Sequence, residues 1–223
     1  WSVMLLNHQC LTFDHHHVEY LCTPRPRVEA NGPDLGFIRL SDHSADVLGS
    51  MFTFVNLRYH REKWQERRLT RDDGVWVEVG FPEVLGARSL DEKNRTLTTS
   101  VFCLSAVGGV DPVRRRGDFD YYDGSVRYDK RYSVPNSFTG MSGGGLWRIR
   151  IAFRERLQRY EIFERIFSGV VFYQVASRGV VSDIRSHGPK SIYEYAIDEF
   201  ILKNPAPKGR PRRKKKPRRR GAP

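Results

Sequence analysis

Apolar side chains recur along this chain in short runs of strand length, at 18–21, 35–40, 51–57, 75–79, 97–107, 146–153 and 169–175. Some alternate with polar neighbours, as in Leu146-Trp147-Arg148-Ile149-Arg150-Ile151, so that one face of a strand meets a core and the other does not. Gly, Pro, Asp and Asn separate most of the runs. Many short strands joined by turn chemistry predict an all-β barrel or sandwich in preference to a βαβ fold. Two segments carry a helical pattern instead: the charged stretch 59–68, and 191–203, where Ile192, Tyr195, Ala196, Phe200 and Ile201 fall near one face. The stretch 154–167 fits either type, and 111–132, with Arg114 to Arg116 and several aspartates and tyrosines, reads as a solvated connection.

Charge changes this picture at one end only. Of a net charge of +12 over 223 residues, ten Lys or Arg lie in 204–223 with no acid beside them, which leaves +2 for the rest. That segment has prolines and glycines but no large apolar side chain, so it cannot bury enough surface to offset the entropy of ordering. A disordered basic arm is expected, serving either solubility or contact with nucleic acid or another polyanion through residues 208–220.

The remaining 203 residues suffice for one large domain or two small lobes. Cys10, Cys22 and Cys103 are odd in number and lack ligand-like spacing, which suggests a reducing, cytoplasmic setting. No run approaches the roughly 18 to 20 apolar residues of a membrane span, so no membrane association is expected. Because the chain opens on Trp1 in what reads as the middle of a strand, an N-terminally truncated or processed product is expected.

The chemistry concentrates at Gly140-Met141-Ser142-Gly143-Gly144-Gly145, one hydroxyl among glycines just before an apolar strand. A Gly-rich turn is the bland interpretation. The sharper one is that glycines let backbone N–H groups turn inward, where two of them can stabilise the oxyanion formed when a serine attacks a carbonyl. This motif resembles the Gly-x-Ser-Gly-Gly of the trypsin-like serine peptidases. The resemblance implies that Ser142 is the nucleophile and that the N–H groups of Gly140 and Ser142 form the oxyanion hole. Met141 replaces the aspartate that pairs with a new N-terminus in digestive members, as in bacterial-type and housekeeping branches.

Two flanking stretches extend the likeness in the right order. Asp34-Leu35-Gly36-Phe37-Ile38-Arg39-Leu40 looks like the strand whose aspartate orients the catalytic histidine, although a turn aspartate before a strand is common. Downstream, Gly169-Val170-Val171-Phe172-Tyr173-Gln174 is similar to the strand lining the substrate groove. Gly188-Pro189-Lys190-Ser191-Ile192-Tyr193 is similar to the turn before the closing helix. The resemblance therefore implies a chymotrypsin-like double β-barrel over 1–203, with lobes of about 1–85 and 86–203, an incomplete first barrel, a C-terminal helix and the tail 204–223.

The same resemblance implies a serine endopeptidase acting on proteins or peptides through an acyl-enzyme, without a cofactor. Its base must precede Asp34: His8, after Val3-Met4-Leu5-Leu6-Asn7, is the better match, with His15 to His17 and a histidine outside the chain as alternatives. Asn136 and Ser137 would lie at the base of the specificity pocket. Phe172, Tyr173 and Gln174 would wall it, with Gln174 narrowing an entrance that glycine usually keeps open. Asp14, His15 and His17 invite a metal reading, but three consecutive histidines rarely supply a third ligand on one side, and no metal is expected. Gly140 to Gly144 also fits the Gly-x-Ser-x-Gly elbow of α/β-hydrolases, with His187 and Asp183 downstream, yet the elbow needs a helix where 146–151 alternates as a strand. A further alternative is a catalytically impaired scaffold that binds partners and uses the tail to reach a polyanion.

Overall fold

A computed structural model describes residues 2–4, 10–12, 19–23, 32–50, 52–67, 74–91, 96–100, 104–111, 114–129, 131, 134–177 and 179–202. The chain is mostly β, as the alternation predicted. A short pair, β1 (Ser2–Met4) and β2 (Cys10–Thr12), precedes a second pair, β3 (Glu19–Cys22) and β4 (Gly36–Arg39). Two helices follow, α1 (Asp42–Gly49) and α2 (Leu57–Arg67). Then come β5 (Val75–Gly80), the hairpin β6 (Ala87–Asp91) and β7 (Thr96–Ser100), and β8 (Leu104–Gly108). The last part comprises β9 (Arg114–Arg116), β10 (Phe119–Ser125), β11 (Gly145–Arg154), β12 (Arg159–Ser177), β13 (Val180–His187) and a helix of wide, π-type winding, α3 (Lys190–Leu202).

Among the described residues the principal sheet has seven strands in the order β8-β5-β11-β12-β13-β10-β9. Every pairing is antiparallel. Its ends approach each other: just past β8, Val110 bridges Gly124 of β10, and the Asp111 N–H donates to the Asp123 carbonyl at 2.8 Å. The segment from β8 to β9 thus pairs with β5 at one end and β10 at the other, so the sheet curls round on itself. Side chains from strands distant in the sheet order meet inside the curl. The Trp76 and Tyr122 rings lie 5.2 Å apart, and the Ser186 hydroxyl donates to Glu78 at 3.1 Å. Gly124 is pressed against the Glu78 carboxylate so closely that a Cβ there would lie 2.9 Å from Oε2. An apolar cluster of Phe138, Met141, Val171, Val181 and Ile184 fills the neighbouring space.

The opposite face of the sheet is covered piecemeal. The segment 32–35 lies over β10 and β13, while α2 packs on β12. Leu35 joins Ile192, Tyr193 and Ala196 of α3 in a second core, with Trp64 of α2 stacked on Tyr193 at 5.8 Å. Arg61 forks onto Asp198 at 2.8 and 2.9 Å and ties α2 to α3. The start of α3 is held by the buried Asp120, whose carboxylate accepts from the Ser191 and Lys190 N–H groups at 2.7 and 3.2 Å. An acid at that end satisfies donors that would otherwise lack partners.

Four points differ from the sequence reading. The stretch 111–132 is no solvated connection: it contains β9 and β10, and Asp120 and Asp123 are buried there. Polar composition concealed a strand whose carboxylates each have a buried partner. The strand expected at 51–57 is absent over 52–56, where the chain is irregular before α2 begins at Leu57. The short helix α1 was not foreseen: it has no buried residue and hence no apolar face to read, and its sequence signal is the cap Ser41, whose hydroxyl accepts from the Ser44 N–H at 3.2 Å. The expected lobe boundary near residue 85 falls inside the principal sheet, since β5 pairs with both β8 and β11. Among the described residues no helix is long and apolar enough to cross a membrane.

Candidate functional site around Ser142

Ser142 lies on a tight turn pinned to the sheet on both sides. Before it, the Gln174 side chain accepts from the Phe138 N–H at 2.8 Å, and the Thr139 carbonyl accepts from Glu83 N–H at 2.7 Å. After it, Gly143 N–H donates to the Val171 carbonyl at 2.8 Å, and Val171 N–H returns a bond of 2.8 Å to Gly144. Gly140 and Gly143 have φ of +94° and +86°, the left-handed region that favours glycine. Gly144 is needed for a different reason, because a Cβ there would run into the Val79 carbonyl. Directly afterwards the chain enters β11, so the helix required by an α/β-hydrolase elbow is not present after this serine.

Within this turn three groups stand uncommitted. Ser142 is exposed, and among the described residues neither its hydroxyl nor its N–H, nor the N–H of Gly140, makes a hydrogen bond. They border a cleft of about 400 Å³ lined by Val79, Phe81, Trp147, Phe167 and the turn itself. Met141 is fully buried among Phe138, Val171 and Ile184, which anchors the turn by apolar contact.

Asp34 has an exposed carboxylate. Its backbone N–H donates to Nε2 of His187 at 3.1 Å, across 153 positions of sequence. His187 is fully buried at the end of β13, between the rings of Tyr121, Phe119 and Phe172 at 5.1, 6.1 and 4.4 Å. Burial lowers its pKa from 6.5 to about 3, so the ring is neutral, and with Nε2 accepting, the proton sits on Nδ1. The Asp34 segment is therefore fastened to β13 and the Ser142 turn to β12, its neighbour in the sheet, but no direct contact joins the two residues among the described hydrogen bonds.

The residues expected to recognise substrate lie around the turn instead of in this cleft. Phe172 is buried in the aromatic cluster with His187, and Gln174 clamps Phe138 and Thr139. Asn136 is exposed, Tyr173 is half-buried, and the Ser137 hydroxyl lies 2.9 Å from that of Thr139. His8, the alternatives His15 to His17, and Asp14 lie outside the described residues, as does the tail 204–223. Among the described residues no group of three or more His, Cys, Asp or Glu is arranged to hold a metal.

One histidine near the cleft was not singled out from sequence. His60 of α2 leans edge-on against Trp147 at 5.8 Å, and its Nδ1 accepts from the Phe167 N–H at 3.3 Å. Burial lowers its pKa below 6.5. Trp147 and Phe167 are both lining residues of the Ser142 cleft, so His60 braces that wall from behind. Its position in a charged helix gave no sign of this. Comparison with protein-family models, curated proteins and solved structures finds no match to the chain.

Proposed function

We propose that the protein is a serine endopeptidase of the trypsin-like type, in which the curled sheet is the second of two β-barrels. The observation that carries this reading is the Ser142 turn: an exposed hydroxyl and two uncommitted backbone N–H groups, at Gly140 and Ser142, facing solvent beside an apolar cleft. Unengaged donors in a backbone fixed by hydrogen bonds on both sides suit the stabilisation of a developing oxyanion, because nothing must reorganise when the charge appears.

In this mechanism His8 takes the Ser142 proton as Oγ attacks the scissile carbonyl, and Asp34 orients the imidazole. The carbonyl oxygen becomes an oxyanion held by the Gly140 and Ser142 N–H groups. Collapse expels the amine, which receives the proton from His8 and leaves an acyl-Ser142 ester. Water, deprotonated by His8, then attacks the ester and regenerates the hydroxyl. Asn136, Ser137, Phe172, Tyr173 and Gln174 shape the specificity region in this reading, Gln174 by holding the Phe138 N–H and the Thr139 hydroxyl.

The test is covalent labelling by a fluorophosphonate probe. Labelling of the full chain should map to Ser142, disappear in Ser142→Ala and fall by roughly 10²-fold or more in His8→Ala, as loss of a general base requires. An unlabelled wild-type chain, tested while its circular dichroism shows it folded, would overturn the reading. Labelling kept in His8→Ala and lost in His60→Gln would move the base to His60.

A further inference from the structure

Beyond the sheet, β11 and β12 continue as a ribbon with a mainly ion-paired face, where the exposed Phe163 also lies under Arg150, and a mainly apolar face, where Arg165 stands opposite Ile149. β5 pairs with β11 only over Gly145 to Ile149, and β13 pairs with β12 only from Val170 onward. From Arg150 to Arg154 and from Arg159 to Ile166 the two strands have only each other as strand partners among the described residues. On one face Arg150 meets Glu164 at 3.5 Å, and Arg154 and Arg159 meet Glu161 at 3.3 and 2.9 Å. On the other face Ile151 stands opposite Ile162, and Phe153 opposite Tyr160, their rings 5.1 Å apart. These four are 42, 52, 46 and 74 % exposed.

That apolar face leads into the Ser142 cleft. The irregularities in the ribbon each insert a residue on β12, leaving the alternation of β11 unbroken, so Trp147, Ile149, Ile151 and Phe153 share one side. Trp147 lies in the cleft wall, packed against Phe167 at 5.1 Å. At the usual strand rise the stripe from Trp147 to Phe153 runs ~20 Å, the span of about six extended residues.

We propose that this face is a docking site for an extended apolar segment of polypeptide, and so that the substrates of the site are unfolded or apolar protein chains; this rests on the peptidase reading above. Three features select that occupant. The stripe joins the cleft where the bond would be cut. Its side chains repeat at the spacing of a strand. Among the described residues no further strand pairs with either outer edge of the ribbon, and an extended chain can add to such an edge where a lipid surface cannot.

The test uses the full chain carrying Ser142→Ala, which cannot cleave what it binds, and fluorescein-labelled, reduced and carboxymethylated α-lactalbumin as the probe. Anisotropy should report binding, weakened roughly tenfold or more when Ile151, Phe153, Tyr160 and Ile162 are all changed to Ser. Changes on the ion-paired face, Arg154→Ser with Glu161→Ser, should leave binding in place. Tyr160→Ser alone gives a smaller loss and guards against misfolding of the fourfold variant. Equal binding by the folded fourfold variant overturns the proposal. So does sedimentation of a dimer that these substitutions dissolve, which assigns the face to a second copy, or ribbon-dependent binding to phosphatidylcholine–phosphatidylserine vesicles without binding to the probe. Ribbon-dependent binding in a chain whose Ser142 takes no fluorophosphonate keeps the docking face and rejects the peptidase reading.

Discussion

Glu78 and His187 are two titratable side chains buried in the same sheet, and they draw stability in opposite directions along the pH scale. Burial raises the Glu78 carboxyl from 4.5 to about 8, helped by the nearby Asp123 charge and opposed by the Ser186 hydroxyl. Between those values the folded chain binds more protons at this site than the unfolded chain, so stability falls as pH rises from 4.5 through 8. His187, lowered from 6.5 to about 3, works the other way, and stability falls as pH drops below 6.5. Glu78→Gln keeps an acceptor for Ser186 and removes the charge. Its chemical-denaturation midpoint should therefore change less than that of the wild type between pH 6 and 9. At pH 9 it should be the more stable chain, by roughly 1–3 kcal/mol. A wild-type-like slope in Glu78→Gln would show that another group sets the alkaline limit. His187 drew notice in sequence only as the downstream histidine of an α/β-hydrolase elbow, and Glu78 not at all: it occupies an ordinary polar place in Val75-Trp76-Val77-Glu78-Val79, and one strand does not reveal that its sheet will curl and enclose the polar face. Ser142 was legible because its glycines are unusual wherever they fall.

At the scale of elements, the Gly140 to Gly145 turn and the strand after it were readable, while β10 was not. A turn announces itself by residue type and β11 by its alternation, but β10 reads Phe119-Asp120-Tyr121-Tyr122-Asp123-Gly124-Ser125, with acids where a core residue is expected. Those acids are paired only in three dimensions: Asp120 with the start of α3, and Asp123 with Arg185 at 2.6 and 2.8 Å. The ambiguous 154–167 proved to be a tight turn and half of a long strand, since its Arg and Glu pair across the ribbon instead of along a helix. The glycines of the turn also separate by cause. Gly143 has positive φ and open space around its Cβ position, whereas Gly144 has the Val79 carbonyl against it. Gly143→Ala should cost about 1–2 kcal/mol of backbone strain. Gly144→Ala should exceed that, at more than about 2 kcal/mol, because β5 and the turn must separate. Urea midpoints for the two variants would decide it; equal losses would mean that the turn yields as one body.

For the whole molecule, charge and fold divide the chain differently. The sheet and its covering helices belong to a part with a net charge near +2, while ten basic residues fall within 204–223. A body so close to neutral gives little long-range attraction for a polyanion, so nucleic-acid affinity, where present, should reside in residues 208–220. Each phosphate neutralised by a Lys or Arg releases condensed counterions, which makes such binding steeply dependent on salt. With six or more of the ten charges engaged, affinity for a thirty-nucleotide single strand should fall by roughly a hundredfold or more between about 50 and 200 mM salt. Removing 204–223 should abolish both the binding and its salt dependence while leaving Ser142 labelling intact, because the turn, its hydrogen bonds and the cleft lie entirely within 79–174. Unchanged binding after the deletion would place the contact on the body and reject the tail as the polyanion arm. Loss of labelling on deletion would instead tie the tail to the site itself.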